Sequence, residues 1–356
     1  MPALNSPSRK NMQALHQNKK LLLGKADFLL AACVTHTCEI PQLTQAGIPG
    51  KIPLTPTLDA EFISTGKVFS LGDIAETPKG VPTPALITRA VHELSPFTSI
   101  QILNLGLPVK PQECKLIDLD IEPSPNITED KSFDAKDIFD KGFVYGKTYK
   151  LEGDYLIIGE STPSGTTTAQ ACITALGYET EGLFASSFKE VPSSIKEETI
   201  SASLSKLHSN MSLFEKLGHT ADNMLVFVAG FILSASRRFN LVLAGGTQMA
   251  AVLLIANKVS GRQGIHHDHR HIHLCTTKWI AEDKNSNIQG LLEQLDFRLK
   301  AYYADFSFEE ASHPALKLYD EGEAKEGVGA GAAIAYAFAQ GVSVKELTLK
   351  VESFLG

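Results

Sequence analysis

The sequence has little of what marks several classes of protein. Only 5 cysteines and 1 tryptophan occur in 356 residues, and no two cysteines form a Cys-x-x-Cys pair. So few cysteines argue against a disulfide framework and favour a reducing, cytoplasmic location. No long run of lysine or arginine is present and the formal net charge is -7. The electrostatic footprint of a nucleic-acid-binding protein is therefore missing, and no nucleic-acid partner is expected.

Long apolar runs are also absent. Residues 1–20 are polar and lack the apolar segment and cleavage site of a secretory signal, so they are predicted to form a tail or an oligomer arm. The most apolar stretch, 224–256, is broken by Arg237, Arg238 and Asn240. Neither half reaches the roughly 18–20 residues that span a membrane, so both are expected in the protein core and no membrane partner is expected.

What is present is typical of a globular α/β protein. Hydrophobic residues make up 43% of the chain and charged residues 21%, which are ordinary proportions. Short β-branched runs alternate with longer helical patterns, which predicts a mainly parallel, Rossmann-like sheet with helices on both faces and a smaller helical or irregular lobe. Strands are predicted at 26–34, 99–105, 155–159, 240–245 and 271–276. Helices are predicted at 83–94, 167–176, 194–208, 221–236, 247–259, 288–295, 329–340 and 344–354.

Two segments lack a regular pattern. Residues 47–84 are rich in proline, threonine and glycine, and 108–140 combine prolines with many acidic residues. Neither is biased enough to be a disordered linker, so both are predicted to be ordered surface excursions or a small lobe. Beyond the tail at 1–20, we interpret 21–356 as a single catalytic domain.

A polar turn follows the predicted strand at 155–159. Its sequence is Gly159-Glu-Ser-Thr-Pro-Ser-Gly165, followed by Thr166, Thr167 and Thr168. Ligands bind at the carboxyl edge of a parallel sheet, and free backbone N–H groups at 165–168 at a helix N-terminus would suit a phosphate or a carboxylate. The alternative is an ordinary turn in which Thr166 or Thr167 caps the helix. No lysine follows Gly165, so the P-loop spacing is absent.

A second turn repeats this design. The apolar run Leu241-Val-Leu-Ala is followed by Gly245, Gly246, Thr247 and Gln248. A glycine pair allows close approach of a ligand, but it equally allows a tight crossover. If both turns belong to one parallel sheet, they lie at the same edge of it.

The third turn contains an acid. Glu326 stands before Gly327, Gly329 and Gly331 at the start of an apolar helical pattern. A carboxylate in this position can simply complement the helix dipole. It can also act as a general base, in which case the dipole would lower its pKa and burial would have to raise that pKa again.

A histidine-rich segment, 266–273, raises the question of a metal. Alternate residues His269, His271 and His273 would share one face of a strand and could bind zinc. Arg270 lies among them, and no cysteine or carboxylate accompanies them at a familiar ligand spacing. The preferred interpretation is a polar surface turn with titrating imidazoles, and no metal is predicted.

Taken in this order, the three turns resemble the nicotinate-nucleotide–dimethylbenzimidazole phosphoribosyltransferase family, in particular a divergent branch of it. The motifs concerned are Gly-Glu-Ser-x-Pro-x-Gly-Thr-Thr-Thr-Ala at 159–169, Ala-Gly-Gly-Thr-Gln-Met at 244–249 and Glu-Gly-x-Gly-Ala at 326–330. Shorter matches at 39–41, 83–85 and 276–279 extend the resemblance over nearly the whole chain. One departure is upstream, where the family's Asp-His-Gly-Val motif and the following segment that lines the benzimidazole pocket have no counterpart.

The resemblance implies roles for individual residues. Glu326 would be the catalytic general base, with Lys325 in place of the glycine that precedes it in the family. The first turn would hold phosphate and ribose, although it is one residue longer here and has Thr166 in place of asparagine. Phosphoribosyl handling therefore carries over better than the identity of the base. The expected substrate-binding residues are Gly159, Glu160, Ser161, Gly165, Thr166, Thr167, Thr168, Gly245, Gly246, Thr247, Gln248, Gly327 and Gly329.

The expected reaction moves the ribose phosphate of nicotinate mononucleotide to an aromatic nitrogen base, 5,6-dimethylbenzimidazole or a relative. The product would be an α-riboside 5′-phosphate for the lower loop of a cobamide. No metal or redox cofactor is expected. The protein is expected to form a homo-oligomer, either a dimer or a trimer. Two alternatives stay open: hydrolysis of a nucleotide glycosidic bond with Glu326 activating water, and a nucleotide-binding sensor without turnover.

Overall fold

A computed structural model describes residues 12–16 and 23–355. In this part of the chain, eight strands form one all-parallel sheet. The strands are β1 (Gln13–Leu15), β2 (Ala26–Cys33), β3 (Ile100–Leu105), β4 (Leu116–Asp118), β5 (Tyr155–Ser161), β6 (Leu241–Ala244), β7 (Ile272–Thr277) and β8 (Lys300–Ala304). The helices are α1 (Thr55–Thr65), α2 (Ala85–Leu94), α3 (Ala135–Thr148), α4 (Gly165–Ala175), α5 (Ser193–Leu204), α6 (Leu213–Thr220), α7 (Asn223–Ala235), α8 (Thr247–Gln263), α9 (Lys278–Ala281), α10 (Ile288–Leu292), α11 (Pro314–Asp320), α12 (Ala330–Ala339) and α13 (Val344–Glu352).

The central strands are buried on both faces, which explains their continuous apolar runs. Along β2, Leu29 and Ala31 pack into one core with α3, α4, α7 and α8. Phe28 and Leu30 point to the opposite face and pack with α1, α2, α12 and α13. The predicted fold class, a parallel α/β sheet with helices on both faces, is confirmed.

The order of the strands is β1-β8-β7-β6-β5-β2-β3-β4. From β2 the chain runs outward through β3 and β4, and it then returns to β5 on the other side of β2. The order therefore reverses between β2 and β5, which pair from Ala26 with Tyr155 to Ala32 with Ser161. Ligands of open parallel sheets bind at the carboxyl ends of the strands beside such a reversal.

The five predicted strands are confirmed, with ends that differ by at most two residues. The prediction missed β1, β4 and β8 and the helices α1, α3, α6, α9 and α11. β1 lies inside the predicted tail and pairs with β8; residues 1–11 and 17–20 of that tail lie outside the described residues. In the part of the chain that the structure describes, no helix is long and apolar enough to cross a membrane.

The histidine-rich segment lies at the amino end of β7, on the sheet edge opposite the three turns. Residues His269–His271 form a short 3₁₀ turn and the strand begins only at Ile272. The expectation that His269, His271 and His273 share one face of a strand is therefore wrong. Nowhere within 12–16 and 23–355 do three or more potential ligand side chains form a metal-binding group.

Candidate active site

The three predicted turns meet in one pocket at the carboxyl edge of the sheet. β5, β6 and β7 are neighbours, so the turns that follow β5 and β6 lie side by side. The loop before α12 lies across them, since the Val328 amide donates to the Glu160 carbonyl at 2.7 Å. Nine of the predicted site residues line this pocket: Glu160, Ser161, Gly165, Thr166, Gly246, Thr247, Gln248, Glu326 and Gly327.

The other five predicted site residues lie behind the lining. Gly159 and Gly329 pack against each other, because a Cβ at Gly159 would lie 3.0 Å from the Gly329 amide nitrogen. The Gly245 amide donates to the Cys275 carbonyl at 3.2 Å. Thr167 and Thr168 are buried in the first turn of α4. These positions support the walls of the pocket.

Helix α4 begins earlier than predicted, at Gly165. Ser164 precedes it with a left-handed φ of 63°, and its side chain makes no capping hydrogen bond. Thr166 and Thr167 lie inside the first turn, so the interpretation that one of them caps the helix is wrong. Ser164 lines the pocket, and its buried hydroxyl has no hydrogen-bond partner among the described residues.

The backbone amides of this turn are less free than the sequence suggested. Those of Thr167 and Thr168 donate to the Ser164 carbonyl, and that of Gly165 donates to the Thr162 carbonyl. Three of the four N–H groups at 165–168 are therefore occupied within the turn. An anion here would rely on the dipole of α4 and on the unpaired Ser164 hydroxyl more than on a set of free amides.

Four donors surround the carboxylate of Glu326. Its Oε2 accepts from the Thr277 amide at 2.8 Å and from the Thr276 hydroxyl at 3.1 Å. Its Oε1 accepts from the Gly327 and Gly331 amides, each at 3.2 Å. Burial raises the pKa of Glu326 to about 7 against these bonds, which lower it. The residue complements the start of α12 and can also exchange a proton near neutral pH.

The loop that carries Glu326 is strained on both sides of it. Ala324 and Val328 have φ of 46° and 52°, in the left-handed region that a β-branched residue rarely adopts. The surrounding structure holds this conformation: the Thr88 hydroxyl donates to the Val328 carbonyl at 2.7 Å. Strain of this kind persists where the position of a functional group is over-determined.

Glu160 is a second buried carboxyl in the pocket. It is 4% exposed, and Gln248 donates to its Oε1 at 3.3 Å. Burial, followed by repulsion from Glu326, Asp222 and Asp59, raises the pKa of Glu160 to about 8. At neutral pH this group is therefore mostly protonated.

The sequence analysis missed a third carboxyl, Asp59 on α1. Its two oxygens accept from the Thr83 and Ser161 hydroxyls, both at 2.7 Å, and burial raises its pKa to about 6. Across 12–16 and 23–355, no lysine or arginine forms an ion pair with Asp59, Glu160 or Glu326. Asp59, Glu160 and Glu326 therefore line the pocket without a paired lysine or arginine among the described residues.

Two buried lysines, Lys325 and Lys196, lie close to the pocket. The Nζ of Lys325 is 3.1 Å from the Asp283 carboxylate and donates to the Phe188 carbonyl. Lys196, also buried, donates to the carbonyl of Ala185, a lining residue, at 3.1 Å. Burial and then repulsion from Lys325 lower the pKa of Lys196 to about 7. Lys196 was missed because a single lysine in a helix of mixed charge gives no sequence signal.

Glu323 joins the loops at the rim of the pocket. It is buried and accepts from the Gln45 amide group at 2.5 Å and from the exposed ammonium of Lys79. Gln45 also donates to the Ser187 carbonyl at 2.6 Å. Three loops, around 45, 79 and 187, are thereby fastened to the loop of Glu326.

Replacing Lys79 with methionine should loosen this rim without unfolding the protein, since the Lys79 side chain is 59% exposed. The substitution leaves the buried Glu323 without its cation, which is unfavourable. We expect amide hydrogen exchange in 75–83 to become about three- to tenfold faster. Lys67→Met, at an exposed position on a different loop, is the control, and equal exchange in both variants would show that the ion pair does not hold the rim.

The group that lies close to Gly165 is the side chain of Gln248. A Cβ at Gly165 would lie 1.9 Å from Gln248 Oε1. Gly165→Ala should therefore lower Tm in the native background, because Gln248 must move. In a Gln248→Ala background the same change should raise Tm, because alanine stabilises a helix by up to about 1 kcal/mol relative to glycine. The check is a double-mutant cycle by thermal unfolding, and the same sign in both backgrounds would contradict it.

The fold is an open parallel α/β sheet with a pocket at the carboxyl edge of its strands, and two solved structures have a similar fold. A solved structure of nicotinate-nucleotide-dimethylbenzimidazole phosphoribosyltransferase from Thermus thermophilus matches with a TM-score of 0.58 and 17% identity, over 94% of this chain and 83% of that chain. A structure of CobT from the same organism matches with a TM-score of 0.55 and 17% identity, over 94% and 85%. The resemblance inferred from the three turns is confirmed at the level of the fold.

Relatives in sequence give the family. A UPF0284 protein of Sulfurisphaera tokodaii is 36% identical over 328 residues, 91% of each chain. UPF0284 proteins of Archaeoglobus fulgidus (33% over 339 residues, 94% of each chain) and Methanocaldococcus jannaschii (36% over 289 residues, 80% of each chain) are also similar. The chain belongs to the UPF0284 family. No family model matches it.

Proposed function

We propose that this protein is a phosphoribosyltransferase that moves the ribose 5-phosphate of nicotinate mononucleotide to an aromatic nitrogen base. The observation that carries the proposal is a group of three carboxyls in one pocket, the buried Asp59 and Glu160 and the half-buried Glu326, none of them in an ion pair with a described residue, with the start of α4 in the same lining. The shared fold supports it, because the Thermus thermophilus enzyme is named for these two substrates.

The charge distribution fits this nucleotide. Its nicotinate ring is a pyridinium cation, and positive charge spreads over C1′ and the ring oxygen of ribose as the glycosidic bond breaks. Carboxylates fixed in a buried pocket stabilise such a transition state more strongly than water would. Glu160 and Glu326 ionise near neutral pH, so both can be negatively charged as the positive charge develops in the transition state.

The phosphate is assigned to the start of α4, which lines the pocket. The start of α4 carries a positive partial charge, and the unpaired Ser164 hydroxyl there can donate to a phosphate oxygen. Lys325 and Lys196 add positive charge along the wall that includes Ala185. Because the pKa of Lys196 is about 7, an arriving phosphate would raise that pKa and charge the amine fully.

The reaction balances with the groups present. The acceptor nitrogen attacks C1′ while the bond from C1′ to the nicotinate nitrogen breaks. That electron pair returns to the nicotinate ring, which leaves as a neutral pyridine and needs no proton. The acceptor attacks through its unprotonated ring nitrogen, and the proton of its other ring nitrogen passes to Glu326, which must be ionised to accept it. Glu160, which is less tightly hydrogen bonded, is the next carboxyl to consider as the base.

Product analysis tests the proposal. The protein is incubated with nicotinate mononucleotide and a panel of benzimidazoles, purines and phenols, and the products are identified by mass spectrometry. Transfer yields nicotinate and a new riboside phosphate. Free ribose phosphate in place of a riboside would make the protein a nucleotide glycosidase. Tight nucleotide binding without turnover across the panel would make it a sensor.

A further inference from the structure

One wall of the pocket, beside Glu326, contains Pro84, Thr83 and Asp59. Pro84 packs against the loop of Glu326, because a Cβ at Gly327 would lie 3.4 Å from Pro84 Cγ. Next to Pro84, the Thr83 hydroxyl donates to Asp59 at 2.7 Å. Pro84, Gly327, Thr83 and Asp59 all line the pocket. An acceptor base whose ring N–H faces Glu326 can extend toward Pro84, Thr83 and Asp59, which belong to the same lining.

This wall is polar where an aromatic base would lie. Asp59 is 2% exposed, and its two hydrogen-bond partners in the described chain are neutral hydroxyls rather than cations. A carboxylate can accept about four hydrogen bonds, so two remain available toward the pocket. Covering them with an apolar ring would leave buried acceptors unsatisfied, which is unfavourable. Among the described lining residues, none has an aromatic side chain to stack on the base.

We infer that Asp59 is a specificity residue that selects an acceptor base with a second hydrogen-bond donor, an amino group or a further ring N–H, besides the N–H that faces Glu326. The inference rests on the proposed function and narrows its acceptor. Asp59 accepts the N–H of the base, the proton stays on the base and no covalent bond changes there. Thr83 and Ser161 keep the carboxyl oriented. An acceptor whose only N–H is the one that faces Glu326, such as 5,6-dimethylbenzimidazole, is disfavoured at this wall.

Bases that differ only in the donor give the test. 4- and 5-aminobenzimidazole are compared with 4- and 5-methylbenzimidazole, because amino and methyl groups are similar in size. At saturating nicotinate mononucleotide, kcat/KM for at least one amino base should exceed that of its methyl counterpart by about tenfold or more, since a site built for an N–H rejects an analogue that lacks it. In Asp59→Asn the ratio should fall to within about threefold.

We expect Asp59→Asn to fold, because the Thr83 and Ser161 hydroxyls can rotate to accept as well as donate. If Asp59→Asn fails to fold, the comparison of amino and methyl bases in the native protein still tests the inference. Equal or faster transfer to the methyl bases overturns the inference, as does a preference that survives in the variant. A rise in KM for nicotinate mononucleotide that is alike with every base would assign Asp59 to the nucleotide and also overturn it. No transfer to any base contradicts the proposed function itself.

Discussion

Replacing Glu326 with glutamine should lower kcat by about 10²- to 10⁴-fold, the usual contribution of a general base. The affinity for nicotinate mononucleotide should barely change, because an interaction that strengthens only in the transition state does not contribute to ground-state binding. Steady-state kinetics and calorimetric binding measure the two quantities. If Glu326 only complements the start of α12, the result is instead a loss of stability with turnover largely intact.

The geometry of Glu326 calls for a second variant, because a glutamine amide would point N–H groups at donors already present. Thr276→Val removes one donor, the hydroxyl 3.1 Å from Oε2, and leaves the carboxylate. That bond lowers the pKa of Glu326, so its loss should move the rising limb of the rate–pH profile to higher pH. An unmoved limb together with near-native activity in Glu326→Gln would transfer the role of base to Glu160.

Replacing Glu160 with glutamine should stabilise the ligand-free protein at alkaline pH. Burial and neighbouring carboxyls raise the pKa of Glu160 from 4.5 to about 8. The stability that its protonated form provides is full below about pH 4.5 and is lost as the pH rises to about 8. Glutamine stays neutral throughout, so Tm of the variant should match the native value at about pH 5 and exceed it by several degrees at about pH 8.

Thermal unfolding from about pH 5 to about pH 8 is the measurement, with Glu197→Gln at an exposed position on α5 as the control. The gain reflects the opposition of stability and activity that is common at catalytic sites. A variant that loses stability at the alkaline end would show that Glu160 is ionised and well partnered in the native protein. The electrostatic account of the pocket would then fail.

The central strands could be predicted because they are buried on both faces and read as unbroken apolar runs. β1, β4 and β8 could not. They lie at or near the sheet edges, are three to five residues long and are partly exposed, and β8 contains Lys300 beside two tyrosines. Short, half-exposed strands carry little periodicity, and only the pairing with a neighbour defines them.

Two of the helices that were not predicted differ in how clearly their sequences indicate a helix. α3 was hidden by Gly142 and Gly146, which weaken helix propensity. They are there because α3 packs closely on α7: a Cβ at Gly142 would lie 2.1 Å from the Phe227 carbonyl oxygen. For α1 a signal was present, since Pro56 stands in its first turn and Gly66 follows its end with a φ of 77°, the usual asymmetry of helix termini.

The site was predictable only in part. The residues after β5, β6 and before α12 could be expected to meet, because turns at the carboxyl ends of parallel strands share an edge. Asp59, Lys196 and Glu323 come from helices and loops whose approach to that edge depends on tertiary packing. The residues around them in the sequence do not indicate that they approach this edge. Buried charge in a functional site is set by the fold as a whole.

The most direct test of the central claim is whether nicotinate release needs an acceptor. Enzyme in excess over nicotinate mononucleotide is mixed with and without an amino-bearing benzimidazole, and nicotinate is quantified over one turnover. The account predicts release only with the acceptor, with one riboside phosphate formed for each nicotinate, and a rate lowered about 10²-fold or more in Glu326→Gln. Release that is equally fast without acceptor, or absent in both reactions, would contradict it.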